Sequence, residues 1–105
     1  MAWSLVIAAG ILEVAFALCL KYSNGFTKLW PSIGVCIFGG LSFLMLTIAL
    51  KTLAVGTAYA VWTGLGAAGT VLVGMLFLSE PVTAGRIVAV VLVLSGIIGL
   101  RLYEQ

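Results

Sequence analysis

Histidine is absent from this 105-residue chain, and acidic residues are scarce, with three Asp or Glu against five Lys or Arg. The two cysteines, Cys19 and Cys36, form neither a CxxC pair nor a metal-ligand spacing. We therefore expect no metal site, no cofactor and no enzymatic activity. The basic residues are scattered rather than gathered into a patch, which argues against nucleic-acid binding.

Hydrophobic residues make up 64% of the chain and charged residues only 8%. This balance is typical of an integral membrane protein and leaves too little polar surface for a soluble domain. A helix needs about 20 mostly apolar residues to cross a bilayer. The sequence therefore predicts one all-α membrane domain over residues 1–105, with four transmembrane helices. Their predicted spans are about 2–20, 31–50, 53–78 and 84–102.

Proline and polar residues indicate where the spans begin and end. Pro31 suits the first position of the second helix. The segment Ser79-Glu80-Pro81 should stop the third helix, because a residue before proline avoids helical geometry. Thr83 is a candidate N-cap for the fourth helix.

The basic residues are divided almost equally between the two ends of the predicted bundle. Lys21, Lys28 and Arg86 fall at one end, whereas Lys51, Arg101 and the N-terminal amine fall at the other. Orientation in a membrane follows the side that carries more Lys and Arg, and here the bias is small. We expect insertion in both orientations, which permits an antiparallel dimer of identical subunits. A single orientation with a weak bias is the alternative.

Glu13 lies close to the middle of the first span, where a charged side chain costs on the order of 3 kcal/mol. The core of the predicted spans has no basic residue to neutralise it. Gly10 and Phe16 share its helix face and leave space beside an aromatic wall. We predict a site that binds a proton or, once deprotonated, a cation. The alternative is a permanently protonated acid that hydrogen-bonds a neighbouring helix.

Polar and aromatic side chains of the second and third spans are candidates to line this site. Ser42, one turn from Gly39, could hydrogen-bond the carboxylate or a substrate, although serine in a membrane helix more often bonds its own backbone. Tyr59 and Trp62 or Thr63 lie on one face of the third span. Aromatic rings with polar tips can flank a cation, and the alternative is an ordinary packing stripe.

Small residues predict close contacts between helices. Ser95 and Gly99, with Gly96 beside them, form a small-xxx-small pattern that favours a helix interface between subunits. Such spacings also arise by chance in glycine-rich spans. The third span carries four glycines that favour close packing: Gly64, Gly66, Gly69 and Gly74.

The stretches LEVAFALCLKYSNGFTKLWPS, GTAYAVWTGLG and SGIIGLR together resemble the small multidrug resistance family of four-helix bacterial transporters. The resemblance covers essentially the whole chain. It implies an antiparallel dimer of identical or closely related subunits in the bacterial plasma membrane. It also implies proton-coupled export, in which two copies of Glu13 form a site that binds protons or substrate but not both. By the same match, Ser42, Tyr59 and Trp62 line or orient that site, with Gly10 and Phe16 nearby.

Within this family the residues are more similar to the guanidinium-exporter subtype than to the quaternary-ammonium multidrug subtype. Thr57, Thr63 and Arg101 match the exporter pattern, whereas Phe16 stands where that subtype commonly carries tryptophan. The resemblance therefore implies export of guanidinium and small guanidinyl cations. Export of quaternary ammonium or aromatic cations is the alternative within transporters. A non-transporting membrane assembly subunit is the alternative of another class.

Overall fold

The computed structural model describes residues 1–103, which contain four α-helices. They are α1 (Ala2–Tyr22), α2 (Leu29–Ala49), α3 (Val55–Phe77) and α4 (Ala84–Tyr103). Each helix is long and apolar enough to cross a bilayer. The predicted all-α fold with four membrane spans is confirmed. The helix bounds differ from the predicted spans by about two residues or fewer, and residues 104 and 105 of the predicted domain lie outside the described residues.

A tight turn reverses the chain between α1 and α2. The hydroxyl of buried Ser23 donates a hydrogen bond to the Leu20 carbonyl over 2.8 Å and accepts one from the Phe26 amide over 3.2 Å. Asn24 and Gly25 adopt left-handed backbone angles, with φ of 50° and 72°. Asparagine and glycine tolerate this conformation better than other residues.

The prediction that Pro31 is the first helical residue of α2 is wrong. The helix begins at Leu29, so Pro31 is its third residue. Proline is tolerated there because an N–H in the first turn has no partner within the helix. The N-cap role of Thr83 is confirmed, because its Oγ1 accepts a hydrogen bond from the Arg86 amide over 3.2 Å.

α1 lies between α2 and α3 and packs against both. Ser42 of α2 bonds Ala9 in the first half of α1, and Gly34 of α2 lies against Cys19 near the end of α1. Residue numbers therefore rise along one helix as they fall along the other. α1 and α2 are antiparallel neighbours, as their short connection requires.

Glycines of α3 allow α1 to approach closely, as the sequence predicts. A Cβ atom at Gly66 would lie 3.1 Å from Cδ of Glu13, and one at Gly69 would lie 2.7 Å from Cγ2 of Val14. In these two contacts the residue numbers rise together along both helices, so α1 and α3 run in the same direction. Gly64 faces the other way and meets side chains of α4. Two faces of α3 are therefore used for packing.

The four helices form a thin layer rather than a round bundle. The molecule measures 42 × 34 × 16 Å along its principal axes. A buried apolar cluster joins the first half of α1 to the end of α2 and the start of α3; its members are Val6, Leu46, Ala49, Ala58 and Val61. In α4 the buried residue is Val90, and most large side chains of that helix face outward. These outward apolar faces need lipid or a second chain to cover them.

Arg101 and Arg86 lie at opposite ends of the layer. The guanidinium of Arg101 lies 4.9 Å from the centre of the Trp3 ring, so the end of α4 contacts the start of α1. At the opposite end, Arg86 forms an ion pair with Glu80 over 3.0 Å. Both arginines thus lie near the ends of α4, where the sequence predicts long basic side chains that can reach the two membrane interfaces.

Candidate functional site

A cavity of about 80 Å³ lies between α1, α2 and α3. Its lining residues are Glu13, Phe16, Gly39, Ser42, Phe43 and Trp62. Four of them, Glu13, Phe16, Ser42 and Trp62, were predicted as site residues from the sequence. The fold therefore brings together side chains from three helices around one membrane-embedded carboxyl group.

Glu13 occupies the centre of α1 and projects between α2 and α3. A Cβ atom at Gly66 would lie 3.2 Å from its Oε1, so the carboxyl group rests directly against the backbone of α3. Its other oxygen, Oε2, is buried and has no hydrogen-bond partner among the described residues. A buried acceptor without a partner costs free energy until a donor is supplied. The geometry thus leaves Oε2 available to a proton or to the N–H group of a cation.

Ser42 connects the other two helices of the site to α1. Its hydroxyl donates a hydrogen bond to the Ala9 carbonyl over 2.7 Å and accepts one from the indole Nε1 of Trp62 over 2.8 Å. A hydroxyl has one proton to donate, and here Ser42 donates it to the Ala9 carbonyl oxygen. In this structure Ser42 therefore orients Trp62 and does not bond the Glu13 carboxylate. The sequence suggested that carboxylate or a substrate as the partner of Ser42.

Aromatic rings form much of the cavity wall. The ring centres of Phe43 and Trp62 are 5.3 Å apart at an angle of 43°, and those of Tyr59 and Trp62 are 5.8 Å apart at 57°. Such tilted pairs are favourable arrangements of aromatic quadrupoles, and their negative faces attract cations. A carboxylate beside aromatic rings is therefore suited to bind an organic cation.

Two lining residues, Gly39 and Phe43, were not predicted as site residues. Both lie on α2 within a turn of Ser42, and that proximity is the signal in the sequence that could have identified them. Phe43 is nevertheless 60% exposed in the chain, as a lipid-facing residue would be. An apolar run surrounds it in the sequence, so its helix face could not be assigned without the contacts of Trp62.

Comparison with known proteins places the chain in a family. The family model described as Small Multidrug Resistance protein matches residues 1–93. The chain belongs to the small multidrug resistance family. It is 49% identical over 102 residues to a protein of Yersinia pseudotuberculosis named guanidinium exporter, covering 97% of this chain and 98% of that protein. It is 48% identical to a guanidinium exporter of Citrobacter freundii, covering 97% of each chain.

The family membership agrees with the resemblance that the sequence motifs indicated. A further relative, a guanidinium exporter of Salmonella typhimurium strain LT2, is 46% identical over 102 residues and again spans 97% of each chain. These matches extend over all four membrane helices. The matched region therefore spans the positions that line the cavity and is not confined to one motif.

Three other predicted site residues of this small multidrug resistance protein lie outside the cavity lining. Gly10 packs against Leu65, since a Cβ atom there would lie 2.9 Å from Cδ2 of that leucine. Tyr59 is 58% exposed and contacts the site through the Trp62 ring. Thr63 donates its hydroxyl hydrogen to the Tyr59 carbonyl over 2.8 Å, within its own helix. In the single chain these three residues do not line the cavity, and their place in the site stays a prediction.

The residues predicted for a dimer interface lie on an open face of α4. Ser95 and Gly96 are exposed, and a Cβ atom at Gly96 or Gly99 would meet no other described residue within 4 Å, its own helix backbone and chain neighbours aside. The small-xxx-small pattern thus has no partner helix within the described chain. This face is accessible to a second copy.

Proposed function

We propose that this chain exports guanidinium and small guanidinyl cations across the bacterial plasma membrane in exchange for protons. The observation that carries the proposal is the buried Glu13 Oε2, which lacks a partner among the described residues and lies in a cavity with aromatic walls. Guanidinium is planar and presents paired N–H groups that match the two oxygens of a carboxylate. The relatives named guanidinium exporter support this choice of cation.

Competition between a proton and the cation for one carboxyl group couples cation export to proton import. Glu13 can hold a proton or form charge-assisted hydrogen bonds to a cation, and each excludes the other. A proton that enters from outside displaces the cation, and loss of the proton on the inside restores the binding form. The dimer alternates between two conformations that open the site to opposite sides of the membrane.

The functional unit in this proposal is an antiparallel dimer with two copies of Glu13 at a shared site. The nearly equal distribution of basic residues, the 16 Å thickness of the single chain and the open small-residue face of α4 support it. Ser95, Gly96 and Gly99 then contact the partner copy. A closely related second chain with the same residues would satisfy the same geometry.

The test is transport by the purified protein in liposomes. An imposed proton gradient should drive guanidinium against its own concentration gradient. Glu13→Gln keeps the shape of the side chain and removes its charge, and it should abolish coupled transport. Glu80→Gln is the matched control, because it makes the same chemical change in the α3–α4 loop and should retain coupled transport. Proton-driven transport by Glu13→Gln would overturn the proposal.

Export of quaternary ammonium or aromatic cations is a second candidate. The observation that favours it is the apolar surface of Phe16 and Phe43 in the cavity, which suits a cation without N–H groups. Guanidinium and tetraethylammonium are compared in the same liposome assay. Faster transport of tetraethylammonium would replace the first proposal with this one. Absence of both cation binding and transport would instead favour a non-transporting membrane subunit.

A further inference from the structure

The polar hydrogens of the cavity wall are already used within the protein. The indole N–H of Trp62 is bonded to Ser42, and the hydroxyl hydrogen of Ser42 is bonded to Ala9. Phe16 and Phe43 have no polar side-chain atoms. Among the lining side chains, Glu13 is the one that offers a cation a charged acceptor, the Ser42 oxygen already accepts a hydrogen bond from Trp62, and the rest of the wall is mostly apolar.

Unsubstituted guanidinium has three edges, each of which presents a pair of N–H groups. The carboxylate of Glu13 can occupy one edge, and the same group of a second copy can occupy another. The third edge then faces the aromatic wall, where its N–H groups lose their hydrogen bonds to water without replacement. An apolar substituent on that edge replaces one of the unsatisfied N–H donors. Its carbon atoms then pack against the aromatic rings of the wall.

Phe16 lines the same cavity as the carboxyl group of Glu13. It follows Glu13 by three residues, so both side chains lie on the same face of α1. Its ring rests on Gly39, because a Cβ atom at Gly39 would lie 3.0 Å from Cδ1 and 3.1 Å from Cε1 of that ring. The missing side chain at position 39 lets the ring lie against α2 and leaves space in the cavity.

We propose that Phe16, held against Gly39, is the specificity-determining residue of this site. The site accordingly prefers a guanidinium with one small apolar substituent, such as ethylguanidinium, over unsubstituted guanidinium. This inference rests on the proposed function and narrows its substrate class. A larger ring at position 16, or any side chain at position 39, would fill the space that the substituent occupies.

The experiment measures guanidinium and ethylguanidinium affinity and proton-driven transport with one liposome preparation of each protein. The wild-type protein should bind ethylguanidinium about fifteenfold more tightly, since an ethyl group adds two carbons and each buried carbon strengthens binding by roughly fourfold. Phe16→Trp and Gly39→Ala should each lower this ratio by about threefold or more. Phe77→Trp, at the exposed end of α3, is the matched control and should leave the ratio unchanged.

The possible results separate the inference from the proposed function. Failure of the wild-type protein to transport either cation would overturn the proposed function. Guanidinium transport with no preference for ethylguanidinium would overturn the inference and leave the proposed function intact. An unchanged ratio in both Phe16→Trp and Gly39→Ala would also overturn it. Because the ratio is measured within one preparation, it does not depend on how much of a variant folds.

Discussion

The indole Nε1 of Trp62 donates a hydrogen bond to the hydroxyl of Ser42 over 2.8 Å, and that hydroxyl donates in turn to the Ala9 carbonyl over 2.7 Å. This chain of two hydrogen bonds joins α3, α2 and α1 beside the cavity. Ser42 is 1% exposed, so water does not replace either bond easily. The orientation of the Trp62 ring therefore depends on one buried hydroxyl group.

Replacement of Ser42 by alanine should destabilise the protein and loosen Trp62. The change leaves the Trp62 N–H and the Ala9 carbonyl without this partner, at a cost of about 1–3 kcal/mol in the free energy of unfolding. Unfolding in detergent with increasing denaturant measures the effect. Ser32→Ala is the control, because the Ser32 hydroxyl bonds the Lys28 carbonyl of its own helix. Equal losses in the two variants would contradict a special role for Ser42.

Gly66→Ala should weaken cation binding without unfolding α3. The added Cβ would lie 3.1 Å from Cδ and 3.2 Å from Oε1 of Glu13, so the carboxyl group must move. Alanine favours a helix over glycine by about 1 kcal/mol, so helix propensity does not explain a loss of binding. Calorimetric titration with guanidinium should show at least about tenfold weaker binding, which corresponds to about 1.4 kcal/mol. Gly56→Ala, at an open position of the same helix, should bind normally.

Gly96→Leu should reduce dimer formation and leave the single chain folded. Within the described chain, a Cβ atom at position 96 meets no other residue within 4 Å, and Gly96 is exposed, so we expect a leucine to be accommodated there. At a small-residue interface between two copies, the same leucine would separate the helices. Light scattering in detergent should show a shift from dimer to monomer at unchanged helical content. Gly85→Leu, at the start of α4, serves as the control, and a fully dimeric Gly96→Leu protein would argue against this interface.

Guanidinium binding should weaken as the pH falls. Glu13 is the titratable residue among those that line the cavity, and its protonated form cannot pair with a cation. The apparent Kd should rise by at most about tenfold per pH unit for each proton displaced. Titrations at a series of pH values measure the slope, and Glu80→Gln should preserve it. A Kd that does not change with pH would contradict competition at Glu13.

Much of the fold was predictable from local features of the sequence. The four spans follow from apolar length, and Thr83 was correctly predicted to cap α4. Pro31 was misplaced by two residues, because proline is compatible with more than one position in the first helical turn. Family membership was also predictable, because Glu13 and the Tyr59-to-Trp62 segment form a specific combination that the family match supports.

The cavity wall was only partly predictable. Glu13 was predicted as a site residue because a charged carboxylate at the centre of a membrane span costs free energy. Phe43 could not be distinguished in the sequence from any lipid-facing residue. The partners of Ser42 could not be read from the sequence, since Ala9 lies 33 residues away and Trp62 lies 20 residues away. Which of several possible acceptors receives the hydroxyl hydrogen depends on how the helices are placed.

The sequence by itself determined the number of membrane helices and the position of an acid at the centre of one. Helix formation in a membrane is a local property, because every backbone hydrogen bond is satisfied within the same apolar segment. Tertiary structure decided that Ser42 orients Trp62, that Phe16 rests on Gly39 and that Glu13 Oε2 remains available. Those relationships depend on the packing of α1 against two other helices, where single glycines set the distances of approach.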